Sequence, residues 1–152
     1  ASDVYKRQLF KYIEGVNPDL IVLAGFMRIL TLKITDSYFG KIINIHPSLL
    51  PKYPGLDTHS KVIENKDSHH GVSIHYVSNE LDAGPLIAQA TIKTKDAETL
   101  DELIERVHAT EHKIFSKVIK FICDDQITLD TGKVIFHDIK TNGVHIDEYF
   151  EI

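Results

Sequence analysis

The sequence predicts an α/β fold, a mostly parallel sheet flanked by helices, on three observations. Asp19–Ala24, apolar from Leu20 onward, follows a proline turn and suits a strand buried on both faces of a parallel sheet. Thr99–Cys123 carries Leu100, Leu103, Ile104, Val107, Ile114, Val118, Ile119 and Ile122 at helical spacing, the mark of a long helix with one apolar face. Between them strand-like and helix-like stretches alternate, the order expected when helices pack on a sheet.

The elements follow in chain order. A helical pattern at Leu9, Ile13 and Val16 ends near Gly15 and Asn17-Pro18. Ala1–Gln8 is polar and unrelated to that pattern, so residues 1–8 read as a leader that need not belong to the domain. The strand at 19–24 ends at Gly25-Phe26-Met27-Arg28. Residues 31–39 predict a short helix with Thr31 as its cap. Lys41–Ile45 is an apolar run after the turn residue Gly40 and predicts the next strand. Thr58–Asn65 predicts a helix opened by a threonine cap. Gly71–Val77 and Leu86–Thr94 alternate as strands do, and the turn-rich Asn79–Pro85 between them makes them antiparallel neighbours. Thr99 and Glu102 form a capping box for the long helix. Gln126–Asp130 and Lys133–His137 flank Thr131-Gly132 as a small hairpin. Nothing divides the chain, so residues 9–138 read as one domain and 139–152 as a C-terminal tail.

The 152 residues are enough for one domain with its own core. Net charge is −5 with the two signs interspersed, which argues against a nucleic-acid surface. No apolar run reaches the length of a membrane span, and the start shows no signal-peptide pattern. The single Cys123 cannot form an internal disulfide and reads as a packing residue at a helix end. A cytoplasmic protein with neither nucleic-acid nor membrane partners is expected; the oligomeric state is not legible.

The chemistry concentrates at one strand end. Asn44 and His46 are two residues apart, so they point the same way where Lys41–Ile45 finishes. In open α/β sheets ligands bind outside the carboxyl ends of strands. The proline-rich Pro47-Ser48-Leu49-Leu50-Pro51-Lys52-Tyr53-Pro54-Gly55 then fixes a rigid, non-helical loop beside them. His46 has a plainer reading, a strand-end imidazole bonded to local backbone. Asn44 shifts the balance, because an amide in an apolar strand needs a partner or a purpose. Asp82, in Glu80-Leu81-Asp82-Ala83-Gly84-Pro85, reads alone as a turn aspartate. Brought close to His46, it stabilises the imidazolium and raises the histidine pKa. The histidine is then a donor able to protonate or stabilise an oxyanion. His69-His70 reads as a solvated turn, His75 as a strand residue holding a neighbouring loop, and His108 and Glu111 as a solvated helix face. No structural-zinc spacing or His-Glu-x-x-His pattern occurs, so no metal is expected.

Taken in series, several segments resemble the phosphoribosylglycinamide formyltransferases, folate-dependent enzymes of purine synthesis. They are Ala24-Gly25-Phe26-Met27-Arg28-Ile29-Leu30, Asn44-Ile45-His46-Pro47-Ser48-Leu49-Leu50-Pro51, Gly55, Thr58-His59, Gly71-Val72-Ser73-Ile74-His75 and Leu81-Asp82-Ala83-Gly84-Pro85. The resemblance covers about Val16 to His137. It implies a Rossmann-like formyltransferase fold and transfer of a formyl group from 10-formyltetrahydrofolate to the amine of glycinamide ribonucleotide. Asn44, His46 and Asp82 would be the catalytic trio. Met27, Arg28, Ile29, Leu30, Asn44, Ser78, Asn79, Glu80, Leu81 and Asp82 would line the folate pocket. Gly25, Pro47, His108 and Glu111 would lie on the ribonucleotide side.

Families of this kind begin with a strand and a phosphate-holding Gly/Ser/Asn loop that are absent here. The resemblance thus implies a missing first βαβ portion, on the order of 60 residues, and a fragment inactive by itself. Close relatives share the Asn-x-His…Asp arrangement. A methionyl-tRNA formyltransferase would carry a different loop after Ser48-Leu49-Leu50-Pro51 and an extra C-terminal barrel. A formyltetrahydrofolate deformylase would replace Pro47 and add an N-terminal regulatory domain. A non-catalytic folate-binding remnant is the reading from another class.

Overall fold

The computed structural model describes residues 2–26 and 28–139. Met27 and residues 140–152, nearly all of the expected tail, lie outside them. In chain order the elements are α1 (Ser2–Val16), β1 (Ile21–Ala24), α2 (Leu32–Ser37), β2 (Ile42–His46), α3 (Thr58–Glu64), β3 (His69–Tyr76), β4 (Leu86–Lys93), α4 (Leu100–Cys123), β5 (Ile127–Asp130) and β6 (Lys133–Phe136). Among them no helix is long and apolar enough to cross a membrane.

β1 to β4 form one sheet in that order, and β5 pairs with β6 in a separate hairpin. β1 and β2 are parallel, as the apolar run at 19–24 predicts, but β1 is not buried on both faces: among the described residues it is an edge strand whose positions alternate between half-buried and exposed. β3 and β4 are antiparallel neighbours, as the turn-rich segment between them predicts, but β2–β3 is antiparallel too, so the sheet is mixed rather than mostly parallel. The connection from β2 to β3 runs through the proline-rich loop and α3 and re-enters the sheet at the end where β2 left it.

Alternation sorts β2 between two layers. Ile43 and Ile45 face a cluster with Val72, Ile74, Ile87 and the α4 residues Leu103, Val107, Ile114 and Val118. Ile42 faces the other way, into Phe10 and Ile13 of α1 and Ile34 and Tyr38 of α2. Asn44 and His46 share the Ile42 face by the same two-residue period. Two of the three expected caps form: Thr31 Oγ1 accepts the Ile34 N–H, and Thr99 with Glu102 closes a capping box.

Four local expectations are corrected. α3 is not capped by Thr58, which lies inside its first turn; Asp57, in a left-handed conformation (φ 58°), holds the cap position without a side-chain bond. Residues 2–8 are not set apart in the fold, since α1 runs without a break from Ser2, and Tyr5 packs under Arg28. His69-His70 is no solvated turn; it opens β3, with His70 buried. Cys123 is exposed rather than packed, because its position falls off the buried stripe of α4.

Candidate active site

The carboxyl end of β2, the proline-rich loop and the β3–β4 loop meet around His46. His46 Nε2 lies 2.7 Å from the Tyr53 carbonyl. A carbonyl can only accept, so this nitrogen carries a hydrogen and donates it. The Nδ1 edge faces Asp82 Oδ2 at 3.4 Å, with both side chains almost fully buried. That oxygen also accepts the Gly55 N–H at 2.9 Å. The loop is pinned in turn: Ser48 Oγ donates to the Lys52 carbonyl at 2.5 Å, and Tyr53 Oη donates to Asp67 Oδ2 at 2.7 Å. Lys52 Nζ pairs with the same Asp67 oxygen at 2.9 Å. Asp82 sits at φ 50°, a left-handed conformation that aspartate tolerates better than most residues.

Asn44 is held by a residue that the sequence reading left outside the site. β2 and β3 place His75 directly opposite Asn44, and Asn44 Nδ2 lies 3.3 Å from His75 Nε2. An amide nitrogen only donates, so His75 Nε2 accepts and its Nδ1 carries the hydrogen. That hydrogen goes to the Tyr76 carbonyl at 2.9 Å. Burial pushes the His75 pKa down, against the opposing pull of the Tyr76 carbonyl and Asp82, in keeping with a neutral ring. The pairing fixes which end of the Asn44 amide bears hydrogens and leaves its second N–H free for a ligand. His75 Nε2 also lies 3.7 Å from Asp82 Oδ1. Gly84 makes the closure possible, because a Cβ there would collide with the Tyr76 carbonyl.

A cleft opens beside this cluster. Arg28, Ile29, Leu30, Asn44, Ser78, Asn79, Glu80, Leu81 and Asp82 all line it, together with Leu23, Phe26, His75 and Val77. The nine expected pocket residues that the structure describes thus converge on one cavity; Met27, the tenth, lies outside the described residues. His46 is behind the cavity wall rather than on it, at 5% exposure. Arg28 also stacks over Tyr5, 4.8 Å from the ring centroid.

The residues expected on the ribonucleotide side do not line this cavity. Gly25 is exposed at the end of β1 with φ 64°, and Pro47 follows His46 directly. Glu111 of α4 is half-buried; burial raises its pKa, partly offset by the fields of His108, His112 and His46. A further pair was missed altogether: His59 Nδ1 of α3 lies 2.9 Å from His70 Nε2 of β3, the rings edge to face. Burial, then the neighbouring His59, lowers the His70 pKa to about 4. Only the pairing of α3 with β3 reveals this contact, and no spacing in the sequence signals it. Among the described residues no cluster of His, Cys, Asp or Glu is arranged to hold a metal ion.

Comparison with known proteins places this chain in a family. The formyl transferase family model matches residues 1–119. The chain is 45% identical over 129 residues to phosphoribosylglycinamide formyltransferase of Escherichia coli K12, covering 85% of this chain and 61% of that protein. The chain thus spans less than two thirds of this relative's length. The solved phosphoribosylglycinamide formyltransferase of Coxiella burnetii, in complex with CHES, superposes with a TM-score of 0.86 at 40% identity, over 95% of this chain and 69% of that one. A formyltetrahydrofolate deformylase from Pseudomonas syringae shares the fold, with a TM-score of 0.82 at 24% identity over 87% of this chain and 44% of that one. Since the family match runs unbroken through the strands and loops that carry Asn44, His46, His75 and Asp82, the chain belongs to the formyl transferase family.

Proposed function

We propose that this chain carries the formyl-transfer site of a phosphoribosylglycinamide formyltransferase, with 10-formyltetrahydrofolate as co-substrate and glycinamide ribonucleotide as acceptor. The observation that carries the reading is the buried His46–Asp82 pair beside an Asn44 amide whose hydrogen-bearing end is fixed at the cleft. The similarity to phosphoribosylglycinamide formyltransferases supports the choice of acceptor. A cytoplasmic location fits such a role.

In this mechanism the ribonucleotide amine attacks the formyl carbon. A carbon–nitrogen bond forms and the carbonyl oxygen takes up negative charge. The free N–H of Asn44 donates to that oxygen, and so does a protonated His46 Nδ1, turned from the Asp82 contact. At 3.4 Å that contact is longer than a normal hydrogen bond, and such bonds tighten when substrate binds. Asp82 lies beside that ring and carries the charge opposite to an imidazolium. A proton moves from the attacking amine to the folate nitrogen, through water held by Asp82. The bond from carbon to that nitrogen then breaks, releasing tetrahydrofolate and the formylated ribonucleotide. Residues 78–82 would cover the pterin, and Gly25, Pro47, His108 and Glu111 would face the ribonucleotide.

The test is formyl transfer by the full-length gene product and by the 152-residue chain, each with a His46→Ala counterpart. Losing one oxyanion donor should slow turnover by about 100- to 1000-fold. Formate release in place of transfer would overturn the reading in favour of a hydrolase.

A further inference from the structure

We infer that Thr35 is a positioning residue for the formyl-donor side of the cleft, acting through Asn79; the inference rests on the formyl-transfer reading above. Thr35 belongs to α2, which directly follows the cleft wall at Ile29 and Leu30. It is 2% exposed and sits beside Ile34 and Tyr38 of an apolar cluster. Its hydroxyl reaches Asn79 Oδ1, 44 positions along the chain, at 2.5 Å. The carbonyls of Thr31 and Leu32 lie farther away, at 3.3 and 3.2 Å, so Asn79 is the acceptor.

Asn79 lies in the β3–β4 loop, which carries Asp82 and four other residues of the cleft lining. Ser78 Oγ bonds only within the loop, to Glu80. Among the described residues, the Thr35–Asn79 bond is the one hydrogen bond from residues 78–81 to another element. At its other end the loop is fixed by Asp82, which accepts from Gly55. The loop is thus pinned at two points, and Thr35 supplies the one on the α2 side. A valine has the same shape, suits the apolar cluster, and leaves only the exposed Asn79 to be satisfied by water.

The test compares Thr35→Val, Thr35→Ser, Asn79→Ala and the Thr35→Val/Asn79→Ala double variant in the full-length gene product. Steady-state kinetics for both substrates and calorimetric binding of tetrahydrofolate are the readouts. Thr35→Val should raise the KM for the formyl donor and the Kd for tetrahydrofolate by about fivefold, the size of one net hydrogen bond. The KM for the ribonucleotide and kcat should stay within about twofold. Thr35→Ser should restore the wild-type values, and Asn79→Ala should add nothing in the Thr35→Val background. An unchanged donor KM, or an equal rise in both KM values, overturns the assignment. If the unaltered protein neither transfers formyl groups nor binds tetrahydrofolate, the parent reading fails, and this inference fails with it.

Discussion

His46 makes contacts of two kinds, and they differ in how far the sequence discloses them. Its partner on the Nδ1 side is a side chain, Asp82, and the turn-forming Gly84-Pro85 already hinted that this aspartate closes a loop. Its partner on the Nε2 side is the main-chain carbonyl of Tyr53, and carbonyls are the same at every position, so no letter announces it. His75 was illegible for a related reason: its role depends on facing Asn44 across two strands, and register is a property of the pair. Tyr53 holds its carbonyl in place through its own side chain, which donates to Asp67 and accepts from Asn65 Nδ2 at 2.8 Å. Tyr53→Phe removes both bonds and leaves the ring. We expect kcat to fall by roughly 3- to 10-fold, as for one net hydrogen bond, with both KM values little changed. An unaltered kcat in steady-state assays would show that the loop needs no such anchor.

Helix ends follow the same division. Thr31 and Thr99 cap α2 and α4 as their spacing predicts, because a cap is a local arrangement of side chain and backbone within one turn. Thr58 breaks the rule: its hydroxyl is buried without a hydrogen-bond partner, and the helix starts from a left-handed Asp57 instead. α3 is held by tertiary contact, the His59–His70 pair against β3. That contact makes stability depend on acid. His70 takes up its proton near pH 4 when folded, below its ordinary value of 6.5. Between those values the unfolded chain binds more protons, so acidification favours unfolding. The stabilisation is complete above about pH 6.5, declines as pH falls, and levels off below about pH 4. The thermal midpoint should therefore drop between pH 7 and pH 5, and drop less in His70→Asn, which keeps a partner for His59. Equal pH slopes for the two proteins in thermal melts would place the acid sensitivity elsewhere.

At the scale of the molecule, the layering and the antiparallel β3–β4 pair were legible, and the direction of β3 against β2 was not. Apolar period identifies a strand and its buried faces; direction is set by the path the connection takes through the proline-rich loop and α3, which no period records. The sheet also has an exposed margin. Among the described residues nothing pairs with the outer edge of β1, and Val22 on it is 40% exposed. Tyr12 and Val16 of α1 add further uncovered apolar surface, at 73% and 58% exposure. An unpaired strand edge of this kind invites pairing with another chain. The 152-residue chain should therefore sediment above its monomer mass, and Val22→Lys should shift it toward the monomer; a monomeric chain before substitution would refute this. The facing of Asn44 and His75 across β2 and β3 has a last consequence, for how the gene tolerates change in length. Side chains alternate between faces, so one codon added or deleted within 42–46 or 72–76 rotates the amide or the imidazole to the opposite side of the sheet. Such frame-preserving insertions and deletions should silence the site even where single replacements nearby are neutral, while residues 95–98, in the turn before α4, should absorb them.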